Sequence, residues 1–127
     1  MKKLLVPIVT IAAVFATVAF AQMAPTKMGK TDKGEVLTDG KGMTLYTFDK
    51  DANGKSACNG KCADNWPPLM AASGAKAGEG YSTIKRDDGM MQWAYKGKPL
   101  YAWVKDKKPG DTTGDGFLNG AWHIAKP

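Results

Sequence analysis

The chain has 127 residues and a formal net charge of +6, from 18 Lys and Arg against 12 Asp and Glu. That length is expected to make one domain with a modest core. The lysines are spread out and interleaved with aspartates, and Arg86 is the single arginine, so the basic stripe of a nucleic-acid binder is missing.

In chain order, Met1-Lys2-Lys3 is a short basic start, and residues 4–20 are apolar apart from Pro7, Thr10 and Thr17. Ala19-Phe20-Ala21 before Gln22 fits the small-x-small rule of leader peptidases. The run is short for a membrane span, so residues 1–21 are expected to be a signal peptide cleaved near Ala21. Cleavage leaves 106 residues (127 − 21) and, without Lys2 and Lys3, a charge of +4. The product is expected to be periplasmic or secreted, with no stable membrane anchor.

Residues 22–34 are polar, with Pro25 and two glycines, and predict a flexible leader. From residue 35 short apolar runs alternate with glycine-rich turns. The expected strands are 35–38, 43–48, 82–86, 90–95, 100–104 and 121–125, joined by Asp-Gly, Asn-Gly and Lys-Gly turns. The best helical candidate, 63–75, is interrupted by Pro67 and Pro68.

One segment is said twice. Lys41-Gly42-Met43-Thr44-Leu45-Tyr46-Thr47-Phe48-Asp49-Lys50-Asp51 returns 55 residues later as Lys96-Gly97-Lys98-Pro99-Leu100-Tyr101-Ala102-Trp103-Val104-Lys105-Asp106, with six identities in eleven positions. Trp66 and Trp122 follow the two tyrosines by 20 and 21 residues. On a strand Tyr46 and Phe48 share one face, as do Tyr101 and Trp103, while Leu45 and Leu100 take the other, so both faces are expected to be covered. Asp51 and Asp106 lie past the strand ends, where a carboxylate can accept backbone N–H bonds and fix a turn. The expected fold is mainly β: a small single domain over 35–127, built from two similar repeats of about 55 residues (35–80 and 81–127) in a pseudo-twofold relation.

These residues, with Cys58-Asn59-Gly60-Lys61-Cys62-Ala63, Trp66-Pro67-Pro68-Leu69 and Trp122-His123, resemble a bacterial secreted-repeat family, predicted lipoproteins with a Tyr-x-(Phe/Trp/Tyr)-x-x-Asp motif. The resemblance spans nearly the whole chain after the leader and implies an exported, repeat-containing envelope protein. It carries over no catalytic residue. The chain lacks a cysteine near the cleavage site, which favours a soluble periplasmic form over a lipid-anchored one.

Cys58 and Cys62 are the only cysteines, and in an oxidising compartment the pair is expected to form a disulfide. No cofactor is expected on that reading. The alternative is a copper or thiol-redox site using Cys58, Cys62 and His123, the one histidine, with some of the methionines, because soft sulfur ligands select Cu(I). Asp49-Lys50-Asp51-Ala52-Asn53-Gly54 resembles the first half of a calcium loop, but Gly60 stands where the bidentate glutamate belongs. The Asp111 and Asp115 loop is a second, weaker calcium candidate. Gly-x-Ser-x-Gly, His-Glu-x-x-His and Walker patterns are missing, so enzymatic activity is not expected. Most of the aromatics should form the core. Trp66-Pro67-Pro68 is the candidate exposed binding surface, held by the nearby disulfide. The functional expectation is a non-enzymatic envelope module binding an envelope protein or a small ligand.

Overall fold

The computed structural model describes residues 24–52, 54–78 and 80–127. The expected signal peptide, its cleavage site and Met23 lie outside the described residues. The chain folds mainly as strands, in the order β1 Lys27–Thr31, β2 Gly34–Thr38, β3 Tyr46–Phe48, α1 Lys61–Asn65, β4 Met70–Ala71, β5 Tyr81–Lys85, β6 Met91–Tyr95, β7 Lys98–Pro99, α2 Phe117–Gly120 and β8 Trp122–Ile124. Among the described residues no helix is long and apolar enough to cross a membrane.

Three segments differ from expectation. The expected flexible leader contains a strand: β1 pairs antiparallel with β2, Lys27 opposite Thr38 through Thr31 opposite Gly34. Its polar sequence hides it, because an outer hairpin strand is held by backbone bonds rather than by apolar alternation. The expected strand over 100–104 is not a continuous strand. Tyr101 instead bridges two separate partners, Tyr46 and Pro68. The helical candidate shrinks to α1, whose last turn is closed by the Trp66 N–H on the Cys62 carbonyl just before Pro67.

Each repeat contributes a hairpin: β1–β2 in the first, β5–β6 in the second, with β4 and β7 flanking β6. The repeats then exchange the segments that follow their tryptophans. In the first ring of backbone bonds, the Leu37 N–H donates to Ala125, Ala125 to Leu45, and Leu45 back to Leu37, at 2.8–2.9 Å. In the second ring, Trp93 donates to Leu69, Leu69 to Leu100, and Leu100 back to Trp93, at 2.8–3.0 Å. Ala125 lies three residues past Trp122, and Leu69 three past Trp66. Each ring is therefore closed by the tail of the other repeat. Where the rings meet, Tyr46 and Tyr101 exchange both backbone bonds, at 2.7 and 3.0 Å.

Consecutive residues feed two cores, as period-two alternation requires. Val36, Tyr46, Tyr101 and Ile124 enter a large aromatic core, while their neighbours Leu37, Leu45, Leu100 and Ala125 form a smaller aliphatic one. The expected two-sided cover of the repeat strands is what forms.

Candidate functional site

The aromatic core is a column. Phe48 stacks on Trp122 (4.2 Å between centroids), Trp122 on Trp66 (3.8 Å), and Trp66 on Trp103 (3.9 Å). Rings from the two repeats alternate in one pair and then the next. Tyr46 meets Trp66 edge-on at 5.4 Å, and Tyr101 meets Trp122 edge-on at 5.1 Å. Stacked and edge-to-face pairs of this kind add to the area the rings bury.

The motif aspartates reach across the repeats. Tyr46 donates its hydroxyl to Asp106 Oδ2 at 2.6 Å, and Tyr101 donates to Asp51 Oδ2 at 2.6 Å. The second oxygen of each carboxylate does the local work foreseen in the sequence. Asp51 Oδ1 accepts the Ala57 N–H at 2.7 Å, and Asp106 Oδ1 accepts the Thr113 N–H at 2.9 Å and its hydroxyl at 2.6 Å. So each aspartate is a turn lock and also half of a reciprocal clasp. Burial, reinforced by the bond to Asp106, raises the Tyr46 phenol far above its usual value. Burial and the bond to Asp51 do the same for Tyr101. Burial also raises Asp51, against the lowering effect of Tyr101, the Ala57 N–H and Arg86.

Cys58 and Cys62 are joined in the disulfide expected from the sequence, with Cα atoms 5.1 Å apart. Cys58 is fully buried within the aromatic core. Beside it lies a polar hub that the sequence did not reveal. Arg86, 4% exposed, donates Nη1 to Ser56 Oγ (2.9 Å) and Gln92 Oε1 (2.8 Å), and Nη2 to the Cys58 carbonyl (2.7 Å) and Asn59 Oδ1 (3.3 Å). Ser56 meets the Tyr101 hydroxyl at 2.5 Å, which links the hub to the clasp. Among the described residues Nε finds no hydrogen-bond partner, and the Asp88 carboxylate 3.8 Å away supplies charge only. Nothing local marked it: in the sequence Arg86 simply closes the expected strand 82–86.

The expected exposed surface at Trp66-Pro67-Pro68 is overturned in part. Trp66 is 3% exposed and sits mid-column, because Trp122 and Trp103, distant in sequence, cover both of its faces. Pro67 and Pro68 are half-buried, and the Pro67 carbonyl accepts the Ala102 N–H at 2.8 Å. The copper alternative finds its two sulfurs bonded to each other, with His123 turned outward on β8. In the calcium candidates the described carboxylates serve separate partners. Asp49 pairs with His123, Asp51 with Tyr101, and Asp115 with Lys33. Asp111 is held low chiefly by the Lys107 N–H, and Asn53 lies outside the described residues.

On the outer face of β3 and β8, Thr47 is opposite His123. The turn between β6 and β7 overhangs them and leaves an open groove of about 370 Å³ lined by Thr47, Asp49, Tyr95, Lys96, Lys98 and His123, with residues 124–126 at its far end. His123 Nε2 lies 2.8 Å from Asp49 Oδ2, both side chains at least half exposed. Lys96 lies over the Tyr95 ring at 5.2 Å. Lys126 turns away to donate to the Lys33 carbonyl at 2.9 Å.

The family profile described as a secreted repeat of unknown function matches twice, over residues 27–70 and 82–126. The first match includes β1, in keeping with its place in the fold, and the two begin 55 residues apart (82 − 27). No curated protein and no solved structure matches the chain. The chain belongs to this secreted-repeat family, and that membership implies export.

Proposed function

We propose that the chain is a non-enzymatic binding module of the bacterial envelope, periplasmic or secreted after cleavage near Ala21, and that it works through the groove over β3 and β8. One observation carries this reading. The motif residues Tyr46, Phe48, Asp51, Tyr101, Trp103 and Asp106, with Trp66 and Trp122, are all engaged in holding the repeats together. Their chemistry is structural, which leaves recognition to the surface around them. The groove has the size of a small-molecule site. Lys96, Lys98 and His123 face a single carboxylate, Asp49, so its charge suits a small anion bearing carboxylate or phosphate groups.

The test is titration of 15N-labelled protein with citrate, inorganic phosphate and a neutral sugar. Saturable shifts at Thr47, Lys98 and His123 with an anion, abolished in Lys98→Ala/His123→Ala, are expected. Shifts at other sites only, or none with any anion, would overturn the assignment to this groove.

A further inference from the structure

The aromatic column has a property that stability alone does not require. Three indoles lie face to face without interruption, Trp103, Trp66 and Trp122, and a buried phenol meets Trp66 and another meets Trp122 edge-on. Each phenol already donates its proton to a carboxylate at 2.6 Å. Indole and phenol are the side chains most easily oxidised by one electron after the thiols, and both thiols here are closed in a disulfide. A phenol that loses an electron in a low-dielectric interior must also lose its proton, since a buried uncompensated cation is strongly disfavoured. Asp106 and Asp51 stand where that proton must go.

We infer that the column is a hole relay, which passes a one-electron oxidation from the surface through the stacked tryptophans to Tyr46 and Tyr101. A one-electron oxidant at the surface takes an electron from Trp103, and the hole spreads over Trp66 and Trp122. Tyr46 or Tyr101 then returns an electron to the indole and its hydroxyl proton to Asp106 or Asp51. The products are the reduced oxidant, restored tryptophans, a neutral tyrosyl radical and a protonated carboxylate. Oxidant reaches the column beside α2, where Phe117, 45% exposed, packs on Trp103 with centroids 4.9 Å apart. The two other tyrosines, Tyr81 and Tyr95, pack on each other in the β5–β6 hairpin and belong to the other core. Burial raises Asp51, which makes it a ready proton acceptor and favours Tyr101 as the resting place of the hole.

The experiment is flash oxidation with photogenerated tris(bipyridine)ruthenium(III), read by transient absorption and by electron paramagnetic resonance after freezing. Wild-type protein is expected to give a neutral tyrosyl radical that forms more slowly in deuterated water. Tyr46→Phe/Tyr101→Phe is expected to lose that signal and leave a tryptophanyl radical, with near-ultraviolet circular dichroism confirming an intact column. An undiminished tyrosyl signal in the double variant would place the radical on Tyr81 or Tyr95 and overturn the relay. So would a wild-type radical confined to tryptophan, or a tyrosyl rate equal in the two waters, both readable without any variant.

Discussion

The two connections from motif aspartate to stacked tryptophan, 51–66 and 106–122, do the same task with different materials. Both leave a carboxylate bonded to the other repeat's tyrosine, cross the edge of the column and deliver an indole into its centre. The first is stitched by Cys58–Cys62 and by Arg86, which gathers Ser56, the Cys58 carbonyl and Asn59. The second has neither. It relies on Asp106 gripping Thr113 and on Gly114, where a Cβ would fall 2.7 Å from the Trp66 ring. It then runs through a left-handed turn in which Leu118 (φ 57°) and Asn119 (φ 57°) both sit where side chains are disfavoured. Phe117 and Leu118 there are 45% and 53% exposed. The shared inner contacts fix the architecture, and the braces outside it are free to differ.

The comparison breaks most sharply at Arg86. Arg86→Ala strands the Cys58 carbonyl, Gln92 and Ser56 in the interior, and urea unfolding should show a loss of about 3 kcal/mol. Cys58→Ala/Cys62→Ala should cost about 2 kcal/mol, since the closed loop is short, and should leave the second connection's amide protection unchanged.

Alkali acts on both connections at once. Tyr46 and Tyr101 have folded pKa values raised above the unfolded value of about 10, so the protonated form is favoured in the fold. Their contribution is fully present below about pH 10 and is lost as pH climbs above it toward the folded values. Thermal midpoints should fall steeply in that range, and the tyrosinate absorbance of these two residues should appear only with unfolding. In Tyr46→Phe/Tyr101→Phe that steep fall should flatten. The smallest effect belongs to the second connection alone. Leu118→Gly relieves the left-handed strain, and a gain of about 0.5–1 kcal/mol is expected, read as a raised Tm.

What could be read from the chain divides along the same line. The repeat, most strands and the two-sided cover were legible because alternation and identity are local signals. The aspartates were half legible: a turn lock is local, but Tyr46 and Asp106 are 60 residues apart. Trp66-Pro67-Pro68 misled because prolines usually mark the surface, and the rings that cover Trp66 come from distant segments. Arg86 was silent, since its partners are polar atoms scattered over 56–92 and one of them is a carbonyl. The groove at His123 could not be foreseen, because it arises from the overhang of a turn between β6 and β7 rather than from any motif.

The exchange of tails makes each repeat depend on the other for its backbone bonds. Neither half closes its own ring of backbone bonds: the first needs Ala125, and the second needs Leu69. A lone repeat of this kind would satisfy itself only by trading tails with an identical copy, as a domain-swapped homodimer does. This protein has the architecture of such a dimer with its halves joined in one polypeptide. Joined in one chain, the halves need not be identical, so one is braced by Cys58–Cys62 while the other packs Gly114 against the Trp66 ring.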